Sequence, residues 1–234
     1  MKQKSWAHEF WIELSQNRTL QVGVLLFTVL LIFLLVTPLV VKLQPLEPDY
    51  ENLFSGPTRH FPFGTDDLGR DLLARAVYGG HTSLLIGLEV MLITTFFGTL
   101  IGLFTGYFEM VDAIVMRLMD VQMSFPALLL AIAILAILGN NPFGVVIALS
   151  VVYSPRTARV VRGQVLTLRE EDYVASAVAV GGSTWRILFL HILPGVIPVL
   201  VVQETFLFAY AILGEAGLSF VGVGIMPPAP SWGN

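Results

Sequence analysis

Three carboxylates stand inside or at the edge of long apolar stretches of the sequence: Glu89, Glu204 and Glu215. A charged group at apolar depth in a membrane is costly, and it usually faces a cavity or a partner. Glu204 has Gln203 and Thr205 beside it, which makes it the best candidate of the three for a functional role at that depth. Glu89 and Glu215 lie near the ends of their stretches, where they could instead reach headgroups or water.

Other residue types give little support to catalysis or to metal binding. The four histidines are far apart in the sequence, and Gly217-Leu218-Ser219-Phe220 only hints at a serine nucleophile. Asp66, Asp67 and Asp71 lack the D-x-D-x-D-G spacing of a calcium loop, so we expect an acidic helix cap there. The sequence therefore predicts no catalytic residue and no metal site.

The basic residues limit which ligands the chain can bind. The only lysines are Lys2, Lys4 and Lys42, and none follows the glycine-rich loop that cradles the phosphates of ATP. ATP-driven work would therefore need a separate subunit, and we expect this chain to bind no cofactor. The net charge of −4 and the dispersed basic residues also argue against a nucleic-acid partner.

The composition predicts a polytopic all-α membrane protein. Apolar residues make up 55% of the chain and charged residues 13%, and the mean hydropathy is +0.77. A membrane-spanning helix needs about 20 mostly apolar residues. Five runs approach this pattern, and the glycine-rich run 217–226 is shorter and predicts a re-entrant or interfacial segment. The five predicted spans are 20–41, 84–108, 121–138, 143–154 and 192–213.

The distribution of basic residues orients these spans. Most of the 13 lysines and arginines fall in the segment 1–19 and in or beside the loop 155–191, while few fall in 42–83. The positive-inside rule then makes the N-terminus and the loop 155–191 cytoplasmic and the loop 42–83 external. We expect Arg156, Arg159 and Arg162 to contact phosphate headgroups.

The cytoplasmic loop carries helix signals of its own. Thr167-Leu168-Arg169-Glu170 fits a capping box and predicts a helix start, and Gly181-Gly182 predicts the end of that helix. Ser183 can cap a second short helix that contains Trp185. Residues 170–190, called the knob below, would then face the cytosol, although an amphipathic helix lying on lipid explains the pattern equally well.

Glycines at four-residue spacing in the second span predict close helix packing. Gly98, Gly102 and Gly106 form two overlapping G-x-x-x-G steps. Such a face allows a neighbouring helix to approach closely, but it does not identify that neighbour. The partner helix could belong to a second membrane subunit or to this chain.

The loop also resembles the EAA loop of permease subunits of binding-protein-dependent ABC importers. The resemblance rests on Tyr173-Val174-Ala175-Ser176-Ala177, Gly181 and Leu193-Pro194. Ala175 replaces the usual glutamate of that loop, and His191 gives the H-I-L-P form typical of the dipeptide, oligopeptide and nickel branch. Further segments similar to this branch are 63–71, 120–126, 158–163, 214–224 and 227–234.

The resemblance implies a type I ABC importer permease fold, with a core over 84–234 and a multi-pass position in the cytoplasmic membrane. Members of the family have a sixth helix, so we expect this five-helix sequence to be a fragment. The implied partners are ABC ATPase subunits that use ATP, a second permease in a heterodimer, an extracytoplasmic solute-binding protein and the lipid bilayer. The resemblance also implies that the knob couples the permease to the ATPase, so residues 170–190 are called the coupling knob from here on. The residues implied in ATPase coupling are Tyr173, Ala175, Ala177, Gly181, Trp185, Arg186, Leu193 and Pro194.

The function predicted in this way is ATP-driven import of a peptide-like or nickel-type solute, and this chain would not be an enzyme. An ion-coupled secondary transporter or channel is the alternative, and it would need coupling residues near the membrane midplane. Glu204, which is the best candidate to line a translocation path, and the end of the fifth span that is rich in glycine and proline are the only features that suit this alternative. A membrane scaffold would leave the intramembrane glutamates unexplained.

Overall fold

The computed structural model describes residues 15–41 and 44–234. Lys2, Lys4, Lys42 and most of the predicted cytoplasmic segment 1–19 lie outside the described residues. The described part is helical, with one isolated bridge between Thr65 and Asp71. The helices are α1 (Arg18–Val40), α2 (Leu72–Tyr107), α3 (Glu109–Met123), α4 (Ala127–Leu138), α5 (Pro142–Leu168), α6 (Asp172–Ala179), α7 (Thr184–Arg186), a π-helical segment (Ile187–Ile192) and α8 (Leu193–Phe220).

Four or five of these helical stretches are candidate membrane spans, depending on whether one bent pair counts as a span. Four stretches among the described residues are long and apolar enough to cross a membrane: α1, α2, α5 and the continuous run Thr184–Phe220. The bent pair of α3 and α4 would make a fifth span. The chain divides into two compact units, of which the first ends at His81 and the second begins at Thr82.

The first unit contains α1 and a folded loop. Asn17 caps α1 by accepting hydrogen bonds from the backbone N–H groups of Thr19 and Leu20, at 3.1 and 3.2 Å. Of the most apolar 18-residue stretch of α1, only 6% is buried. Nearly all of this stretch is therefore available to lipid or to a partner. Near the end of the unit, the His81 ring Nε2 lies 2.9 Å from the Leu34 carbonyl oxygen.

Asp66 organises the loop that leads into α2. Its Oδ1 accepts from the backbone N–H groups of Leu68 and Arg70, both at 2.9 Å, and its Oδ2 accepts from Arg70 Nε at 2.7 Å. Burial raises the pKa of Asp66, but these hydrogen bonds and the Arg70 charge outweigh burial and leave the pKa below its usual value. Asp71 Oδ1 accepts from Leu73 N at 2.9 Å, which confirms the predicted acidic helix cap.

The second unit is built around α5. In the most apolar 18-residue stretch of α5, 67% of the residues are buried, whereas the corresponding value for α2 is 28%. One core cluster joins α5 to α2, α4 and α8 through residues such as Val90, Leu135, Leu149 and Leu207. A second cluster joins α5 to the coupling knob and includes Val161, Val165, Val174, Ile187 and Ile192.

Several predicted helix boundaries are wrong. Helix α2 begins at Leu72 rather than at residue 84, because Asp71 caps it inside the predicted external loop. Helix α8 continues to Phe220, so residues 217–220 are helical and only 221–226 leave the helix. The single span predicted over 121–138 is two helices, α3 and α4, with a 97° bend at residues 124–126.

Pro155 does not end α5, which continues to Leu168. A proline in a helix leaves the carbonyl four residues earlier without its N–H donor. Here that carbonyl belongs to Val151, and Gln122 Nε2 donates to it from α3. A donor from another helix thus replaces the missing backbone bond, which sequence periodicity alone does not reveal.

The predicted capping box at 167–170 is also wrong. Thr167 lies within α5 and its Oγ1 donates back to the Gly163 carbonyl at 3.3 Å. Glu170 pairs with Arg169 at 3.1 Å instead of capping a helix start. The next helix begins at Asp172.

Candidate functional site

The coupling knob is a short helix, a glycine turn and a second helical stretch. Gly181 has φ +79°, a conformation that side chains with a Cβ rarely adopt. Its N–H donates to Val178 O at 2.9 Å, and the Gly182 N–H donates to Ala177 O at 3.0 Å. This pair of bonds is a Schellman motif, so the glycines end α6 as the sequence predicts.

The inner face of the knob is fixed to the helices of the second unit. Val174 of α6 is 1% exposed and packs with Ile187, Leu188 and Ile192 of the following helical stretch. The same cluster contains Val161 and Val165 of α5 and Leu103 of α2. The knob is therefore attached through a continuous apolar core, and not only by its chain connections.

The outer face of the knob carries an open groove of ≈ 410 Å³. The residues that line this groove include Tyr173, Ala177, Gly181 and Arg186. Tyr173 Oη donates to the His191 carbonyl at 3.3 Å, which ties α6 to the π-helical segment. Tyr173 is 46% exposed, so the groove offers an aromatic ring, a cation and backbone to a protein partner.

The eight residues predicted for ATPase coupling do not all lie on this groove. Trp185 lies elsewhere on the knob, stacked on Phe189 with 5.6 Å between ring centroids and edge-on to Phe104 at 5.8 Å. Trp185 is nevertheless 63% exposed. Ala175 is exposed on α6, Pro194 is exposed at the start of α8, and Leu193 packs against the second core cluster.

Val180 is a groove residue that sequence reasoning missed. It lines the groove and is 86% exposed, among the highest values for a large apolar side chain in the described chain. An apolar residue directly before a helix-ending glycine pair is the signal that could have identified it. A partner that covered Val180 would remove this apolar surface from water.

Glu204 lies between helices of this chain. Its side chain is 5% exposed, its Oε1 accepts from Thr157 Oγ1 at 2.6 Å, and its Oε2 accepts from Thr94 Oγ1 at 3.2 Å. Helices α2, α5 and α8 meet at this carboxylate. A role for Glu204 in translocation stays a prediction, and in this structure the carboxylate joins three helices.

The predicted glycine face packs against α5 of the same chain. Ideal Cβ atoms at Gly98, Gly102 and Gly106 would lie 2.6, 2.5 and 2.6 Å from the Cβ atoms of Thr157, Val161 and Val165. These distances are far below ordinary carbon contacts of roughly 3.5–4.0 Å. Of the two partners left open by the sequence, the structure uses the one within this chain.

The three arginines predicted to contact headgroups also contact protein groups, and the headgroup contacts stay a prediction. Arg159 Nη2 lies 2.6 Å from Asp120 Oδ1, and Arg162 forms a two-bond pair with Asp112. Arg156 lies over the rings of Tyr153 and Tyr210, at 5.5 and 5.2 Å from their centroids. Arg159 and Arg162 therefore connect α5 to α3 through charged hydrogen bonds.

The sequence of this chain is similar to those of known transport proteins. Residues 98–234 match the family described as the binding-protein-dependent transport system inner membrane component. A putative peptide transport system permease protein of Brucella abortus biovar 1 is 42% identical over 221 residues, which cover 94% of this chain and 75% of the relative. The chain belongs to this permease family.

Two further relatives have the same character. A dipeptide transport system permease protein of Alkalihalophilus pseudofirmus is 38% identical to this permease over 227 residues, covering 97% of this chain and 75% of the relative. A glutathione transport system permease protein of Escherichia coli is 39% identical over 229 residues, with 97% and 75% covered.

The family match defines what the permease is. It is a multi-pass membrane subunit of an ABC importer, a transport subunit and not an enzyme, and it works with ATPase subunits and a solute-binding protein. The comparisons give no support to an ion-coupled transporter or channel. Among the described residues, no group of three or more histidine, aspartate or glutamate side chains is placed to hold a metal ion.

Proposed function

We propose that this permease imports a peptide-like solute, and that an ATPase subunit drives the import through the coupling knob 170–190. The names of the relatives support a peptide-like solute, since they specify peptide, dipeptide and glutathione transport. A nickel-type solute, which the sequence motifs also allow, has no counterpart among these three names. Uptake of radiolabelled dipeptide and of nickel by the assembled transporter separates the two solutes.

The observation that carries the coupling role is the exposed groove on a rigidly attached knob. A protein partner that fills a groove beside Tyr173 and Val180 gains apolar burial, and Arg186 offers it a charged hydrogen-bond donor. The knob continues through the π-helical segment into α8 without a break. A push on the groove would therefore be applied to a membrane-spanning helix.

In this proposal ATP binds to the partner ATPase, and the knob and the N-terminus are cytoplasmic. The excess of arginine at the knob end of α5 supports this orientation. The chain contains no cysteine, so a single introduced cysteine can report its side of the membrane. In intact cells we expect an impermeant maleimide to label Ala229→Cys and to leave Val180→Cys unlabelled. The opposite pattern would invert the proposed topology.

We further propose that a second, different permease chain completes the translocation path. The bare apolar surface of α1 supports contact with another membrane protein or with lipid. Two copies of this chain with different affinity tags test the stoichiometry when they are expressed together. A heterodimer predicts that one tag does not recover the other, whereas recovery of both tags in one complex would show a homodimer.

Copurification tests the coupling role directly. The tagged permease is purified from its native membrane in mild detergent, and the ATPase subunit that accompanies it is quantified. We expect Tyr173→Ala and Arg186→Glu to reduce ATPase recovery several-fold, because both remove groove contacts. Arg117→Glu makes the same charge reversal on an exposed arginine of α3 and should leave recovery unchanged. Equal recovery from all four proteins would contradict docking at the groove.

A further inference from the structure

Glu215, near the end of α8, is fully buried at 0% exposure. No ion pair among the described residues includes it. A buried carboxylate without a cation is costly unless hydrogen-bond donors satisfy both of its oxygens. The donors around Glu215 therefore determine what this residue does.

Two serine hydroxyls satisfy the carboxylate. Ser83 Oγ of α2 donates to Glu215 Oε2 at 2.6 Å, and Ser219 Oγ of α8 donates to Glu215 Oε1 at 2.7 Å. Each of these hydroxyls also accepts a backbone N–H from the segment 221–234. Ser83 accepts from Trp232 N at 3.1 Å, and Ser219 accepts from Ile225 N at 2.9 Å.

The two relays hold opposite ends of one folded segment. Within it, Asn234 Nδ2 donates to the carbonyls of Ile225 and Ala229, at 2.9 and 3.1 Å. A Cβ at Gly233 would lie 2.7 Å from Ser219 Cβ, so the segment also lies directly against α8. Residues 221–234 therefore form a compact cap, called the α8 cap below.

We propose that Glu215 is a positioning residue for transport, which clamps the α8 cap to α8 and to α2 through Ser219 and Ser83. Helix α8 follows the coupling knob at its other end, so a clamped cap must move with the helix that the ATPase drives. The proposal rests on the proposed function for this link to ATP. It assigns to Glu215 the transmission of that movement to the cap.

Glutamine at this position tests the clamp with almost no change in shape. One oxygen of the side chain becomes an NH₂ group, which donates and cannot accept, so the serine hydroxyl facing it loses its acceptor. Charge-assisted hydrogen bonds are roughly twice as strong as neutral ones, so the remaining relay also weakens. Glu89→Gln is the matched control, because Glu89 is exposed on α2.

The first readout is thiol labelling in the purified complex. Ser231 lies in the cap and is 4% exposed, so Ser231→Cys should react slowly with a maleimide. We expect Glu215→Gln to raise the labelling rate at least about tenfold, which corresponds to roughly 1.4 kcal/mol. Glu89→Gln should leave the rate unchanged. If Glu215→Gln does not assemble, Ser83→Ala and Ser219→Ala each break one relay and should raise the rate less.

The second readout is dipeptide uptake per ATP hydrolysed by the complex in proteoliposomes. If the clamp is lost, we expect several-fold less dipeptide uptake per ATP while the rate of ATP hydrolysis is retained. A purely structural role for Glu215 would not separate uptake from hydrolysis in this way. An unchanged labelling rate of Ser231→Cys in Glu215→Gln, Ser83→Ala and Ser219→Ala would overturn the clamp. Raised labelling with unchanged uptake per ATP would overturn its role in transport. A parent complex that imports no dipeptide would refute the proposed function, and the labelling result would still decide the clamp.

Discussion

Replacing Gly102 by alanine is a sharp test of how the second unit packs. Gly102 lies on α2 against α5, and an added Cβ would be 2.5 Å from Val161 Cβ and 2.7 Å from the Ala158 carbonyl oxygen. The second of these atoms belongs to the backbone and cannot rotate away. The two helices would have to separate by about 1 Å to restore ordinary contact distances.

The size of the effect follows from this clash. Overpacking a close contact costs about 1–3 kcal/mol, and we expect Gly102→Ala to lower the free energy of unfolding by this amount. Gly163→Ala is the matched control, because Gly163 lies on α5 and an added Cβ there meets nothing within 4 Å. Alanine in place of a helical glycine should stabilise by about 0.5–1 kcal/mol, so the two substitutions should have opposite signs.

Unfolding of the isolated permease in detergent, followed by circular dichroism against denaturant, measures both variants. The assay uses the permease without its partner chain, so it reports packing within this chain. If Gly102→Ala were as stable as the parent but failed to associate with a second permease, the glycine face would pack between subunits. That result would refute the in-chain packing described above.

Three further outcomes are expected. Gly181→Ala should lower the free energy of unfolding by about 1–2 kcal/mol because Gly181 has a left-handed backbone, and Gly181→Asn should lower it less. Thermal unfolding measures both variants, and equal stability of Gly181→Ala and the parent would contradict the glycine cap. The lowered pKa of Asp66 means that its carboxylate stabilises the loop fully above the ordinary aspartate pKa of about 3.9 and loses this effect as the pH falls through the lowered value. Protection of the Leu68 amide against hydrogen exchange, measured relative to the intrinsic exchange rate at each pH, should therefore fall only in acid for the parent but be low already at neutral pH for Asp66→Asn, and identical pH profiles of protection would exclude this role. Arg162→Asp and Asp112→Arg should each destabilise by about 1 kcal/mol, and the double variant should recover part of the loss in denaturant unfolding, whereas additive losses would show that the pair is not coupled.

Helices and turns set by local signals could be predicted from the sequence. The apolar run at 20–41 predicted α1, and the structure places the helix at Arg18–Val40. Gly181-Gly182 predicted the end of the knob helix, because a glycine adopts the left-handed cap at little cost. Asp71 predicted a cap before α2. In each case the deciding residues are close neighbours along the chain.

Features that depend on distant residues could not be predicted in this way. Gln122 supplies the donor that lets α5 pass through Pro155, and no local pattern links these two positions. Glu204 stood out as a charge at apolar depth, but its donor Thr94 is on another helix, 110 residues earlier. The predicted helix start at Thr167 failed because a capping-box pattern does not show whether the preceding helix has already ended.

Site-specific cross-linking tests most directly whether the coupling knob contacts the ATPase. Because the chain has no cysteine, Val180→Cys places one thiol on the groove and Ala229→Cys places one on the α8 cap. With a short cross-linker in the native membrane, Val180→Cys should give an adduct that contains the ATPase subunit, and Ala229→Cys should give none. If the ATPase copurifies with both variants but Val180→Cys gives no adduct, or both positions give the same adduct, the knob is not the contact.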